Sequence, residues 1–309
     1  MDSIAGKDRL RFLMQRKTFF GVRIIAFVGL ALFLWGCNGA DEQPVHGDHP
    51  KVVAGVAMRD VRFLSARLGR EMPYRVFLPE TIEAGQRLPV VYLLHGRGAD
   101  FRDWSNNSDI AKYALRGVIL VMPEGNSSFY LNAAQIASDK YEDYLVHDLV
   151  KDVEGRFPVL TGRAHRAIVG ISMGGFGAVA MALRHPEMYV FAGGLSSAID
   201  VPERRFSWKR MGQWWLFRRI FGPMGSAERA QRDPFALVKT VDPRAAPYLY
   251  LTVGQQEALF EPNRRFAARL TERGFAHEFH VKPGGHDWNE WGAQIPGCFA
   301  RMMESLAVD

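Results

Sequence analysis

The chain has 309 residues, 48% of them hydrophobic and 23% charged, which excludes a disordered protein and is enough to bury one sizeable core. A formal net charge of +6 could suit nucleic acid, but six cations (Lys7, Arg9, Arg11, Arg16, Lys17 and Arg23) stand against Asp2 and Asp8 in residues 1–36, leaving +2 from Cys37 onward. A nucleic-acid partner is therefore not expected.

Behind the basic stretch, residues 24–35 form an uncharged run, Ile-Ile-Ala-Phe-Val-Gly-Leu-Ala-Leu-Phe-Leu-Trp. A basic segment followed by a short apolar one is the pattern of a secretory signal, and the run falls short of the roughly 20 residues a spanning helix needs. The following Leu34-Trp35-Gly36-Cys37 resembles the lipobox of bacterial lipoproteins, although Trp35 is bulkier than the residue usual there. Residues 1–36 are thus expected to be a lipoprotein-type signal peptide, with Met14 an alternative start, and Cys37 to carry lipid. The implied location is the bacterial cell envelope, at a membrane facing the periplasm or exterior; an uncleaved anchor or a plain secretory signal would also export the chain. Residues 37–55, rich in Asn, Gly, Asp and Pro, read as a flexible tether, and residues 56–309 as one folded domain. The other cysteine, Cys298, then has no partner and reads as a small buried side chain.

Short apolar segments next alternate with longer amphipathic ones. Strands are predicted over 74–78, 89–94, 117–122, 166–170, 191–195, 248–253 and 278–281, and helices over 143–156, 175–185, 263–273 and 288–304. Strands apolar on both faces belong inside a mostly parallel sheet covered by helices, which makes the fold class α/β. Functional groups in such sheets collect at the carboxyl ends of strands. The residues there are 95–98, 123–125, Ser172, Ser196 with Ser197, 254–261 and 284–286.

Ser172 lies in Gly170-Ile171-Ser172-Met173-Gly174, between a strand and a small-residue helix start. A serine on such a tight turn is exposed for attack, and the glycines let strand and helix close around it. An alcohol also needs a base, and His286, in a glycine loop after the last strand, fits that role better than His277 or His280 within the strand. A carboxylate must orient the imidazole. The loop 254–261 offers Glu257 first and Glu261 second, with Asp242 or Asp287 as outside alternatives. Two convergent backbone N–H groups must receive the developing oxyanion. Met173 supplies one; the other comes from the 95–98 loop, with Arg97 the first candidate and Gly96 the second. No His, Cys and carboxylate cluster has metal-ligand spacing and no phosphate or dinucleotide motif occurs, so neither metal nor cofactor is expected.

These motifs, with Trp104, Pro123-Glu124-Gly125, Ser128-Phe129-Tyr130, Tyr141-Glu142-Asp143-Tyr144, Arg184-His185-Pro186, Asp233-Pro234-Phe235 and Gly284-Gly285-His286-Asp287-Trp288, resemble the esterase D and feruloyl esterase branch of the α/β-hydrolases over about residues 60–305. That branch includes tributyrin esterases, S-formylglutathione hydrolases and mycolyltransferases. The resemblance implies Ser172 as nucleophile, His286 as base and the Arg97 and Met173 amides as oxyanion donors. The family's usual aspartate falls on Glu257, a departure. S-formylglutathione hydrolases carry Ser-Gly-Leu-Thr-Cys where this chain has His95-Gly96-Arg97-Gly98, which argues against that substrate.

Residues 200–235 mix aromatic and basic side chains, as in Trp208-Lys209-Arg210-Met211 and Trp214-Trp215-Leu216-Phe217-Arg218-Arg219. They read as a lid insertion that lines an acyl or aryl pocket, that meets a membrane interface, or whose aromatics merely pack on the body. The expected function is an exported serine carboxylic ester hydrolase acting on a small acyl or aryl ester through an acyl-serine. Alternatives are an acyltransferase passing the acyl group to a sugar or lipid hydroxyl, and a non-catalytic envelope binding lipoprotein on the same fold.

Overall fold

A computed structural model describes residues 47–307; the signal-like segment and Cys37 lie outside the described residues. Eight strands form one sheet: β1 (Val56–Ser65), β2 (Arg70–Pro79), β3 (Val90–Leu94), β4 (Ile119–Pro123), β5 (Arg166–Ile171), β6 (Phe191–Leu195), β7 (Tyr248–Gly254) and β8 (His277–Lys282). Their order across the sheet is β1-β2-β4-β3-β5-β6-β7-β8. The β1–β2 and β2–β4 pairs are antiparallel and every other pair is parallel.

Alternate residues of the central strands face opposite sides, and both sides are covered. Tyr92, Leu94, Val121 and Ile168 join one core with Phe176, Val179 and Leu183 of the helix after β5, while Val91, Leu93, Leu120 and Val169 join the other with Ile295, Cys298 and Phe299 of the last helix. That double coverage is why every residue of β3 to β6 is buried, and why these strands read as continuous apolar runs.

The helices that frame the site are α1 (Asp103–Asn107), α2 (Val150–Arg156), α3 (Met173–Arg184), α4 (Met211–Phe221), α5 (Pro234–Thr240), α6 (Phe260–Arg273) and α7 (Trp288–Ser305). The helical stretch predicted over 143–156 begins at Tyr141 and passes through a π-type segment, Tyr144–Leu149, before α2. No helix among the described residues is long and apolar enough to cross a membrane.

Helices α1, α4 and α5 were not among the predicted elements, and two further features differ from the sequence expectations. Strand β1 was not predicted: as an edge strand it carries Arg59, Asp60 and Arg62 toward water and lacks an apolar run. Residues 48–55, the described end of the segment read as a tether, lie against the domain. Asp48 and Asp60 both grip the buried Arg75 guanidinium at 2.7 Å, and the Lys51 amide donates to the Ser105 carbonyl.

Candidate active site

Strand β5 ends at Ile171 and α3 begins at Met173, so the whole change of direction falls on Ser172. Its φ of 54° and ψ of −111° place an L-residue in a costly region, about 1–3 kcal/mol above relaxed backbone. Close packing imposes that conformation. A Cβ on Gly170 would come within 2.1 Å of the Gly174 carbonyl oxygen, and one on Gly174 within 2.1 Å of the Leu94 carbonyl oxygen. Strand, turn and helix can therefore approach only as glycines, and the hydroxyl is carried to the carboxyl edge of the sheet.

Three loops meet there. The Nε2 atom of His286 lies 2.9 Å from Ser172 Oγ, and its Nδ1 lies 2.7 Å from Glu257 Oε2. The Glu257 side chain is fully buried while that of His286 is 39% exposed, so the imidazole has protein on its carboxylate side and solvent on its serine side. The second oxygen of Glu257 accepts from the Gly254 amide at 2.7 Å and the Ser196 hydroxyl at 2.6 Å. Three partners thus serve the buried anion, which is what keeps it tolerable away from water. The Trp291 ring stands edge-on to His286 with centroids 5.0 Å apart, bracing the imidazole from the last helix.

Gly96 sits against the nucleophile, since a Cβ there would lie 3.7 Å from Ser172 Cβ. Arg97 and Met173 line the same cleft, and their backbone N–H groups donate to no acceptor among the described residues. Beneath this loop the buried His95 ring holds it: Nδ1 lies 2.8 Å from the Gly96 carbonyl oxygen, and Nε2 lies 2.9 Å from the Gly125 nitrogen and 3.3 Å from Glu124. Burial pushes the Glu124 carboxyl up, but the His95 imidazole and the Asn126 and Phe101 amides more than offset this and hold it below the usual carboxylate range. At nearby Asp103 burial outweighs the His95 imidazole and the Trp288 and Asn107 hydrogen bonds, the former at 3.1 Å, and raises the carboxyl.

The other acids considered from the sequence are engaged elsewhere. Glu261 pairs with Arg264 at 2.7 Å, Asp242 with Arg244 at 3.1 Å, and Asp287 caps α7 by accepting the Asn289 and Glu290 amides. His280 pairs with Glu278. Ser196 had stood among the strand-end residues without a role; like Ser172 it has a positive φ, 47°, at the end of a parallel strand.

The cleft over Ser172 has a volume of about 310 Å³, with Phe129, Ala198, Val201 and Leu259 as apolar wall and Arg204 and Arg210 at its rim. Both arginines come from residues 200–235, read from the sequence as a lid. Within that segment, α4 buries Phe217, Ile220 and Phe221 and sets Phe217 and Phe221 edge-on to Phe129, whereas Trp208 remains 81% exposed. Packing accounts for one face of the insertion and not for the other.

A hydroxyl, an imidazole and a buried carboxylate in one hydrogen-bonded line, beside two free N–H groups, can activate an alcohol and receive an oxyanion. The comparisons with known proteins point the same way. The Esterase family model matches residues 65–302. The chain is 27% identical to an acetyl esterase of Caldicellulosiruptor saccharolyticus over 71% of this chain and 85% of the relative. It is 28% identical to the diacylglycerol acyltransferase/mycolyltransferase Ag85B of Mycobacterium leprae over 72% of this chain and 77% of the relative. It spans only 58% of the length of two mycobacterial esterases that it also matches. Among solved structures, the fluorophosphonate-binding serine hydrolase FphF of Staphylococcus aureus superposes with a TM-score of 0.70 at 24% identity, over 80% of this chain and 98% of the other, a likeness of fold.

Proposed function

The chain belongs to the esterase family, and from that premise we propose that it is an exported serine hydrolase that cleaves small acyl or aryl esters through an acyl–Ser172 intermediate. The observation that carries the reading is the line from Ser172 Oγ through His286 to Glu257, at 2.9 and 2.7 Å. His286 Nε2 takes the hydroxyl proton as Oγ attacks the ester carbonyl carbon. With Nδ1–H donating to Glu257, the tautomer leaves Nε2 free to do so. The carbonyl oxygen, now negative, accepts from the Arg97 and Met173 amides. Collapse breaks the bond to the leaving oxygen, which receives the proton from His286, and the acyl group remains on Ser172. A water entering from the exposed side of His286 repeats the sequence and releases the acid. Replacing Ser172 with Ala is expected to lower kcat for p-nitrophenyl acetate by at least about 10³-fold and to abolish labelling by a fluorophosphonate probe. Full retained activity would remove the proposal.

A second reading keeps the acyl-enzyme and delivers the acyl group to a sugar or lipid hydroxyl in place of water. The mycolyltransferase relative favours it, and product analysis with an added acceptor alcohol separates the two. Export rests on the basic-then-apolar segment before Cys37. Labelled palmitate is expected to enter the protein made in a bacterial host and to be lost with Cys37→Ser; equal labelling of that variant would refute lipidation there.

A further inference from the structure

Arginine side chains in this fold are mostly committed. Arg75 holds Asp48 and Asp60, Arg166 holds Glu154, Arg184 holds Glu142, and Arg229 donates to the carbonyls of Gly222 and Pro202. At the mouth of the Ser172 cleft the pattern changes. The side chains of Arg97, Arg205 and Arg210 have no carboxylate or carbonyl partner among the described residues, and only Arg204 is paired, with Asp200 at 2.8 Å.

The cleft over Ser172 has a neighbour across this rim. Arg204 and Arg210 also line a second hollow of about 240 Å³, whose other walls include Arg205, Trp214 and Phe217. A basic, aromatic-walled compartment thus shares two arginines with the cleft that holds the nucleophile. Among the described residues, Glu257 is the only carboxylate that lines either hollow, and its oxygens are occupied by His286, Ser196 and Gly254. Like charges gathered at a concave mouth repel one another and gain nothing for the fold, but they focus a positive field on whatever enters. Guanidinium groups left with open donor forks are suited to the oxygens of a carboxylate or phosphate.

We propose that Arg205 and Arg210, with Arg97 beside the nucleophile, form a subsite for an oxyanion carried by the ester itself, so that the preferred substrates are anionic esters. The proposal rests on the acyl-serine reading of the same site and adds the substrate class. The shared chemistry is a carboxylate or phosphate attached to either half of the ester, and matched pairs distinguish these sources. Mono-p-nitrophenyl glutarate against p-nitrophenyl valerate tests a carboxylate on the acyl side. 4-Acetoxybenzoate against its methyl ester tests one on the alcohol side, and 4-acetoxyphenyl phosphate against that same neutral ester tests a phosphate.

At low ionic strength the full-length protein is expected to show kcat/KM about tenfold higher for the anionic member of at least one pair, with the excess falling as salt screens the arginines. In Arg205→Gln/Arg210→Gln, at exposed positions, the ratio is expected to fall toward one. No excess in any pair, or an excess that survives in the double variant, overturns the proposal. Should that variant not fold, the unaltered protein decides: an excess untouched by about 0.5 M NaCl overturns it equally. Cleavage of the neutral esters, and its loss in Ser172→Ala, reports separately on the acyl-serine reading, so failure of one is distinguishable from failure of the other.

Discussion

Glu257 stands where the family resemblance leads one to expect aspartate, and its surroundings show how the longer side chain is used. Its two oxygens serve three donors: Oε2 faces His286, and Oε1 faces both Gly254 and Ser196. Aspartate, shorter by one methylene, cannot reach His286 while keeping both contacts on the other oxygen. Glu257→Asp is therefore expected to lower kcat by about 10–100-fold. Glu257→Gln is expected to cost more, about 10³–10⁴-fold, because an amide N–H facing Nδ1 forces the proton onto Nε2 and removes the base. Steady-state kinetics on p-nitrophenyl acetate check both, and a Gln variant as active as Asp would show that the carboxylate does not set the tautomer. Ser172, His286 and Glu257 were legible in the sequence because each sits in a loop after a strand, in the order such enzymes use. Ser196 was not, since a serine after a buried strand has no signature until its partner carboxylate is placed opposite.

At the scale of elements, the same physics decides what could be read. The strands β3 to β6 announced themselves because burial on both faces demands uninterrupted apolar sequence. Strand β1 stayed hidden because its register with β2 is fixed by backbone pairing over ten residues while its outward side chains are polar. Helix α5 was too short for a periodic signal, but its first turn carries a testable tension. Asp233 caps it by accepting the Phe235 amide at 2.9 Å, yet burial pushes its carboxyl up to about 6. A carboxyl raised in the fold favours folding most when protonated, so stability is lost as pH rises from its ordinary value near 3.8 through about 6. Asparagine keeps the capping acceptor without the ionisation. Asp233→Asn should stabilise at pH 8 by about 1 kcal/mol, less than the shift alone implies because water reaches part of the side chain. The gain should shrink as pH falls below about 6. Thermal unfolding at pH 8 and pH 5 measures it; an equal or larger gain at pH 5 would contradict the assigned cause.

For the whole molecule, the sheet order gathers residues 172, 257 and 286 from loops beyond β5, β7 and β8, at one edge of the sheet. These strands differ in how firmly they are held. Strand β5 lies between β3 and β6 and is buried throughout, whereas β8 is an edge strand that pairs only with β7 and has no fully buried residue. The nucleophile is thus mounted on the centre of the sheet and its base on the margin. Local opening favours segments with few buried apolar contacts and one-sided hydrogen bonding, so β8 and the 283–287 loop should open at a lower free energy than the core. Activity needs His286 within hydrogen-bonding reach of Ser172 and has no tolerance for that opening. In rising urea, ester cleavage is therefore expected to fall before far-UV circular dichroism changes, and β8 amides should exchange with deuterium faster than those of β5. Coincident loss of activity and dichroism, with equal protection of both strands, would instead place β8 inside the cooperative core and make Trp291 and the last helix sufficient to hold the imidazole against the edge.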